Sequence, residues 1–237
     1  FVFSVILTPI FIVVGLVCNI LIIILLWSER NKSSTKFLLI LLAITDSMIL
    51  LWMVGLVFIP ALFRHAGKMV ESLSFVNKFE MYTRYVGNVA LTASSWLTVY
   101  VAWQRYVGAC KPFLYSKYGS SKAVKTTSLV GFIINAIYWF PDIFSKRLVT
   151  MPDGTVLVID SPFAENKYFL IIRTLILNYA INYVVPILLL TYLSYALIVA
   201  LKKARKMRER MTTSSNKEQV TLSIVIVVVI AILSYIL

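Results

Sequence analysis

Charge is scarce in this chain of 237 residues: Asp, Glu, Lys and Arg make up 14%, against 60% apolar residues, and the mean hydropathy is +0.87. So little charge excludes an ordinary water-soluble domain, in which about a quarter of the residues are charged. Histidine occurs once, at His65, with no nucleophile motif or cluster of metal ligands around it, which leaves enzyme chemistry without support. Cysteine occurs twice, at Cys18 and Cys110, each in or beside an apolar run, and two such distant thiols make neither a disulfide framework nor a metal site. Tandem repeats and low-complexity tracts are missing. The chain opens at Phe1 without Met and stops at Leu237 inside an apolar run, so it is expected to be a fragment from which no targeting signal can be read.

What fills the chain instead is long apolar runs. About 20 mostly apolar residues cross a hydrocarbon core as a helix. Six stretches qualify, at about 1–27, 37–63, 81–109, 126–144, 168–201 and 219–237. The expected fold is therefore an all-α membrane protein, a single transmembrane domain over 1–237 with no soluble domain. Charge sorts the connections. Segments 28–36, 105–125 and 202–218 hold 15 Lys and Arg, and segments 64–84 and 142–173 hold 8, which puts the first set in the cytosol and the N-terminal end outside. Glu29, Glu209 and Glu218 are the only acidic residues on the cytosolic side. The net charge of +13 lies within a few residues of apolar spans, where it anchors acidic lipid rather than a nucleic acid. Asn31-Lys32-Ser33 is a glycosylation sequon that this topology keeps in the cytosol, unmodified.

Polar residues inside the runs carry the next step. Asn88, Thr92, Ser95, Thr98 and Arg105 recur at three- and four-residue steps, with Ala102 keeping the register, so one helix lines them along one face. Lipid gives no reason for such a stripe, and the third span reads as the buried axis of a bundle. Asn19 in the first span reads alone as an interhelical hydrogen bond. Asp46 sits midway into the second, where insertion costs about 3 kcal/mol and demands a partner, a proton or a cation. Ser94, three turns before Arg105, falls at about the depth of Asp46. A carboxylate, a hydroxyl and an amide suit a sodium ion completed by water, and they equally suit a neutral cluster around a protonated Asp46. Arg105 taken singly reads as a side chain snorkelling to headgroups. Pro60 should kink or stop the outer end of the second helix.

Taken jointly, these residues form a more specific pattern: Gly15 and Asn19 in the first span, Leu42-Ala43 and Asp46 in the second, and Gln104-Arg105-Tyr106-Val107 with Lys111-Pro112 closing the third. In that order the chain resembles the rhodopsin-like family of G-protein-coupled receptors, from Gly15 into the sixth span. The resemblance implies a seven-transmembrane helix bundle of which about six spans are present, in the plasma membrane. It implies that Asn19, Asp46 and Ser94 form a polar network able to take sodium as an allosteric ion, with no other cofactor. Gln104, Arg105 and Tyr106 would couple to a heterotrimeric G-protein, aided by the basic stretch from Lys202 to Arg210 running into Lys217-Glu218-Gln219. Pro186 would form the bulge of the fifth span that moves on activation.

The chain also departs from the family. Gln104 replaces the acidic residue before the arginine, which weakens the resting lock to a hydrogen bond at most. Glu80 stands where a cysteine is usual, and the second outer segment, Asp142 to Lys167, has no cysteine either, so packing or charge must hold that loop. The tryptophan usual midway along the fourth span is absent, with Gly131 or Phe132 near its position and Trp139-Phe140-Pro141 at the outer end. Gly87 stands where amine receptors carry an aspartate, so an amine ligand is not expected. The implied pocket is Arg84, Gly87, Asn88 and Leu91 of the third span with Asn178, Tyr179 and Asn182 of the fifth. Asn178 and Asn182, one turn apart, either bond the amides of a peptide or satisfy neighbouring helices. Val149 to Val158 reads as two short strands around a turn at Pro152-Asp153-Gly154, a lid similar to that of peptide receptors. The general look is similar to invertebrate neuropeptide receptors of the FMRFamide type. The competing reading is a six-span transporter or channel with Asp46 as its ion or proton site. No inverted repeat, matching pair of broken helices or second intramembrane acid supports it.

Overall fold

The computed structural model describes residues 6–31, 33–152, 154–162, 164, 166 and 171–211. The expected sixth span, the basic stretch beyond Met211, Asp153 and the first residues of the first and fifth spans lie outside the described residues.

Helix α1 (Thr8–Trp27) is followed by α2 (Ser34–Met53), a widened π-helical turn (Val54–Phe58) and α3 (Ile59–His65). Pro60 thus neither stops the helix nor leaves it regular. The ring at Pro60 clashes with an ordinary helical turn, and the backbone answers by bonding the Ile59 N–H to the Val54 carbonyl, five residues back. Pro186 meets the same solution. It follows π-helical turns over Ile172–Val184, and the Val185 N–H bonds the Ala180 carbonyl before α7 (Val185–Met211) continues.

Between these lies α4 (Met69–Cys110), 42 residues long. At 1.5 Å per residue it runs about 63 Å, twice the hydrocarbon thickness. It begins well before residue 81 because its first three turns are an amphipathic extension, which hydropathy alone reads as a loop. Short α5 (Pro112–Tyr118) leads into α6 (Ser121–Trp139), whose first turn is capped by the Ser120 hydroxyl accepting from the Ala123 N–H at 3.3 Å. A 3-10 turn (Phe140–Phe144) then starts the loop expected on the outer side.

In that loop β1 (Lys146–Thr150) pairs antiparallel with β2 (Val156–Asp160), Thr150 opposite Val156 and Lys146 opposite Asp160, with an ion pair between the last two. The expected hairpin is present. Its turn uses Gly154 at φ +81°, a conformation that strains other residues, and the Gly154 N–H bonds the Met151 carbonyl.

Helix α4 is the centre of the bundle. It packs against α2, α6 and α7, and α1 lies on α2. One apolar cluster joins Leu38, Leu97 and Val124 from α2, α4 and α6; another joins Val99 to Leu190 and Leu193 of α7, with Trp103 and Tyr106 against it. The opposite faces are apolar and bare, as at Leu25 and Ile137, which are 73% and 67% exposed. Such surfaces have lipid as their solvent. Four described helical stretches, Thr8–Trp27, Ser34–His65, Ser121–Phe144 and Asn178–Lys203, are long and apolar enough to cross a membrane.

Candidate functional site

Three groups of polar side chains are strung along α4, at its middle, at its C-terminal end, the inner one on the expected topology, and at its N-terminal end, the outer one. In the middle the Ser94 hydroxyl donates to Asp46 Oδ1 at 2.5 Å. Antiparallel α2 and α4 bring the two to one depth, and the Thr98 and Ser47 hydroxyls are absorbed by carbonyls of their own helices, at 2.9 and 2.7 Å. Asn19 is half-buried and makes no hydrogen bond among the described residues. Two oxygens, one from a carboxylate and one from a hydroxyl, therefore converge here, and the amide does not join them. No group of three His, Cys, Asp or Glu side chains gathers anywhere among the described residues.

At the inner end Arg105 is exposed while its neighbour Gln104 is 1% exposed. The Gln104 amide turns away from Arg105 and accepts from the Thr35 hydroxyl of α2 at 3.1 Å, and its Nε2 finds no acceptor among the described residues. Beside it the buried Ser34 hydroxyl donates to the Gly119 carbonyl at 2.6 Å, and Lys125 Nζ donates to Asn31 Oδ1 at 2.8 Å. Tyr106 lies against the α7 cluster, and Pro186 is fully buried. The Lys36–Glu29 ion pair closes the α1–α2 connection.

The outer end is built differently. Asp142, 6% exposed, accepts from Asn88 Nδ2 at 2.9 Å; the Ser145 hydroxyl donates to the Asp142 backbone carbonyl at 2.9 Å, with the carboxylate Oδ1 at 3.3 Å, and accepts from the Arg84 guanidinium at 3.1 Å. The Ser145 carbonyl in turn receives the Ser161 N–H at 3.0 Å. The hairpin is tied to the α4 extension at both backbone groups of Val156: Asn77 Nδ2 donates to its carbonyl at 2.7 Å, and its N–H donates to the Ser74 hydroxyl at 3.1 Å. Ser72 donates to the Pro60 carbonyl at 2.9 Å and fixes the same extension to α3. Glu80 and Asp160 put negative charge near Arg84. These bonds tie the loop to α4 on both sides of Glu80, where the resemblance implies a cysteine.

Of the seven residues expected to line a ligand pocket, two bond the outer loop and one, Asn182, lines a groove between α4 and α6. Arg84 and Asn88 are spent on the loop. Gly87 is buried against Trp52, whose ring occupies the space a side chain would need, and the Trp52 Nε1–H is held by the Thr83 hydroxyl at 2.8 Å. Leu91 and Tyr179 are exposed, and Asn178 Oδ1 is buried with no hydrogen-bond partner among the described residues. Asn182 faces a separate groove between α4 and α6. Asp142, Ser145, Asn77, Ser74 and Thr35 were not singled out by sequence. The joint absence of both outer cysteines was the available signal, since something polar on α4 and on the loop had to replace them.

Residues 18–237 match the family "7 transmembrane receptor (rhodopsin family)". The chain is similar to the FMRFamide receptor of Drosophila melanogaster, 25% identical over 231 residues that cover 94% of this chain and 42% of the fly protein. It is also similar to a "probable G-protein coupled receptor" of Caenorhabditis elegans, 24% identical over 221 residues covering 88% of this chain and 49% of that one. The chain thus spans less than half the length of these curated relatives.

Proposed function

The chain belongs to the rhodopsin family of seven-transmembrane receptors, a multi-pass membrane protein and not an enzyme, and from that premise we propose that it receives an extracellular neuropeptide and activates a heterotrimeric G-protein. The observation that carries the reading is the contrast at the end of α4, where Arg105 is exposed and makes no ion pair among the described residues, beside a buried Gln104 whose one hydrogen bond among them comes from Thr35. A guanidinium held in this way is free to meet a partner's helix C-terminus. Tyr106 packs against the cluster that includes Leu190 and Leu193 of α7, the first of them one turn after Pro186, so a shift of the π-helical turns before Pro186 would be felt at Arg105. Ligand contact falls to Leu91, Asn178 and Tyr179, with the buried Asn178 Oδ1 as acceptor for a peptide N–H. Arg84, Gly87 and Asn88 shape the wall behind them.

The similarity to the FMRFamide receptor supports a peptide ligand, and the hairpin gives the site a lid. The test is nucleotide exchange on purified G-proteins by the full-length receptor exposed to a neuropeptide panel. Exchange evoked by one peptide class supports the proposal; substrate flux in liposomes without exchange defeats it. The N-terminal end is proposed to be extracellular, so Asn31, beside Lys125, should carry no sugar.

Asp46 and Ser94 fit two oxygen positions in the shell of a sodium ion, which when bound supplies a positive charge beneath the ligand. Asp46→Asn should make agonist affinity independent of sodium, whereas the wild type should lose about fivefold as sodium replaces a larger cation. Equal sodium response in both would leave Asp46 as a hydrogen-bonded packing residue.

A further inference from the structure

A groove of about 360 Å³ opens between α4, α6 and the π-helical turns before Pro186. Trp96 and Tyr100 of α4 and Phe132 and Ile134 of α6 form much of its wall, and no charged side chain lines it. Position 131 carries no side chain and the space beside it is open: a Cβ built on Gly131 meets nothing within 4 Å. Gly131 and Ile134, the latter 62% exposed, stand at the mouth, on the bare apolar side of α6 that also bears Ile133 and Ile137. The mouth therefore faces hydrocarbon.

The wall is not wholly apolar. Ser128 Oγ, Asn135 Oδ1 and Asn182 Oδ1 line the groove, are 7%, 9% and 6% exposed as residues, and have no hydrogen-bond partner among the described residues. For Asn135 the orientation is determined, because its Nδ2 donates to the Val89 carbonyl at 2.8 Å and the remaining oxygen can only accept. An acceptor left bare in a low-dielectric wall is costly, and hydrocarbon outside offers it nothing.

The geometry points to a binding site for a neutral, membrane-dissolved molecule, an apolar body bearing one hydroxyl, which enters from the lipid and donates to Asn135 Oδ1. The absence of charge in the lining excludes an ionised headgroup, since none could be neutralised there. The apolar body takes the volume that Gly131 leaves open. This site is separate from the proposed peptide contacts at Leu91, Asn178 and Tyr179, and it does not depend on them.

The probe is a diazirine-bearing dodecanol, with its methyl ether and the matching dodecanoic acid as controls, applied to the full-length receptor in lipid nanodiscs and located by peptide mass spectrometry. The alcohol should label the α4 and α6 peptides that carry Trp96 and Phe132. Labelling should saturate, be displaced by plain dodecanol, and exceed that by the ether about tenfold, the discrimination expected when one acceptor loses its donor. Gly131→Phe should abolish it, and Ser128→Ala should change it less than twofold if Asn135 is the principal acceptor. Equal labelling by alcohol and ether, preference for the acid, or non-saturating label would overturn the proposal, the last leaving water alone in the groove. Should Gly131→Phe fail to fold, displacement by plain dodecanol in the wild type still decides.

Discussion

The two ends of α4 solve opposite problems. At the outer end Asp142, Ser145, Asn88 and Arg84 share a buried network, and Asn77 and Ser74 hold both backbone groups of Val156, so the loop hairpin is fixed at several independent points. At the inner end the ties Ser34 to Gly119 and Lys125 to Asn31 bypass the motif itself: Gln104, beside an exposed Arg105, has one hydroxyl–amide bond, from Thr35, and its Nε2 is unsatisfied among the described residues. Redundant buried hydrogen bonds reinforce one another and resist the loss of any single member, whereas one neutral bond is worth only about 1 kcal/mol. The comparison teaches where rigidity is built in. The loop end is braced without a disulfide, and the basic end is left within reach of a small free-energy difference.

The largest effect should come from the centre of the outer network. Asp142→Ala strips the carboxylate acceptor from Asn88 in a buried setting, leaving Ser145 only its bond to the backbone carbonyl of residue 142, and should cost about 3 kcal/mol, read as a lower denaturation midpoint of the purified receptor. An unchanged midpoint would erase the contrast between the ends. Next comes Gly87→Ala, whose methyl overlaps the indole of Trp52 while Thr83 restrains that ring, for an expected loss of about 2 kcal/mol in the same assay.

Smaller shifts should act on signalling instead. Thr35→Val removes the one side-chain bond that Gln104 makes among the described residues and should raise ligand-free nucleotide exchange about fivefold, the equivalent of about 1 kcal/mol. Gln104→Glu should lower it by setting a carboxylate beside Arg105. If both variants match the wild type, the inner end is not held by this pair. The smallest effect belongs to Asn77→Ala, about 1 kcal/mol or less, because the Ser74 bond and the β1–β2 ladder remain; a loss as large as that of Asp142→Ala would show that the outer bonds are not redundant.

Much of this was legible from spacing. The stripe from Asn88 to Arg105 marked α4 as the axis, and α4 does pack against α2, α6 and α7. Equal depth predicted that Ser94 would meet Asp46, and the two are bonded. The pattern 149–158 announced a hairpin, which extends by three residues at its start and two at its end beyond that range. The early start of α4 was not legible, because hydropathy registers only the part of a helix that lipid surrounds. Nor was the use of Arg84 and Asn88 to hold the loop, since a helical period says which way a side chain points and nothing of what comes to meet it.

Local physics in the chain alone determined that this is a helical membrane protein with polar groups buried along its third long helix, because apolar length and 3.6-residue spacing are properties of neighbours in sequence. Only the tertiary structure decided which polar groups are spent on one another. Asp142 lies 54 residues from Asn88, and Gln104 lies 69 from Thr35. Pairings at that separation depend on where whole helices pack, and so does the space left open at Gly131.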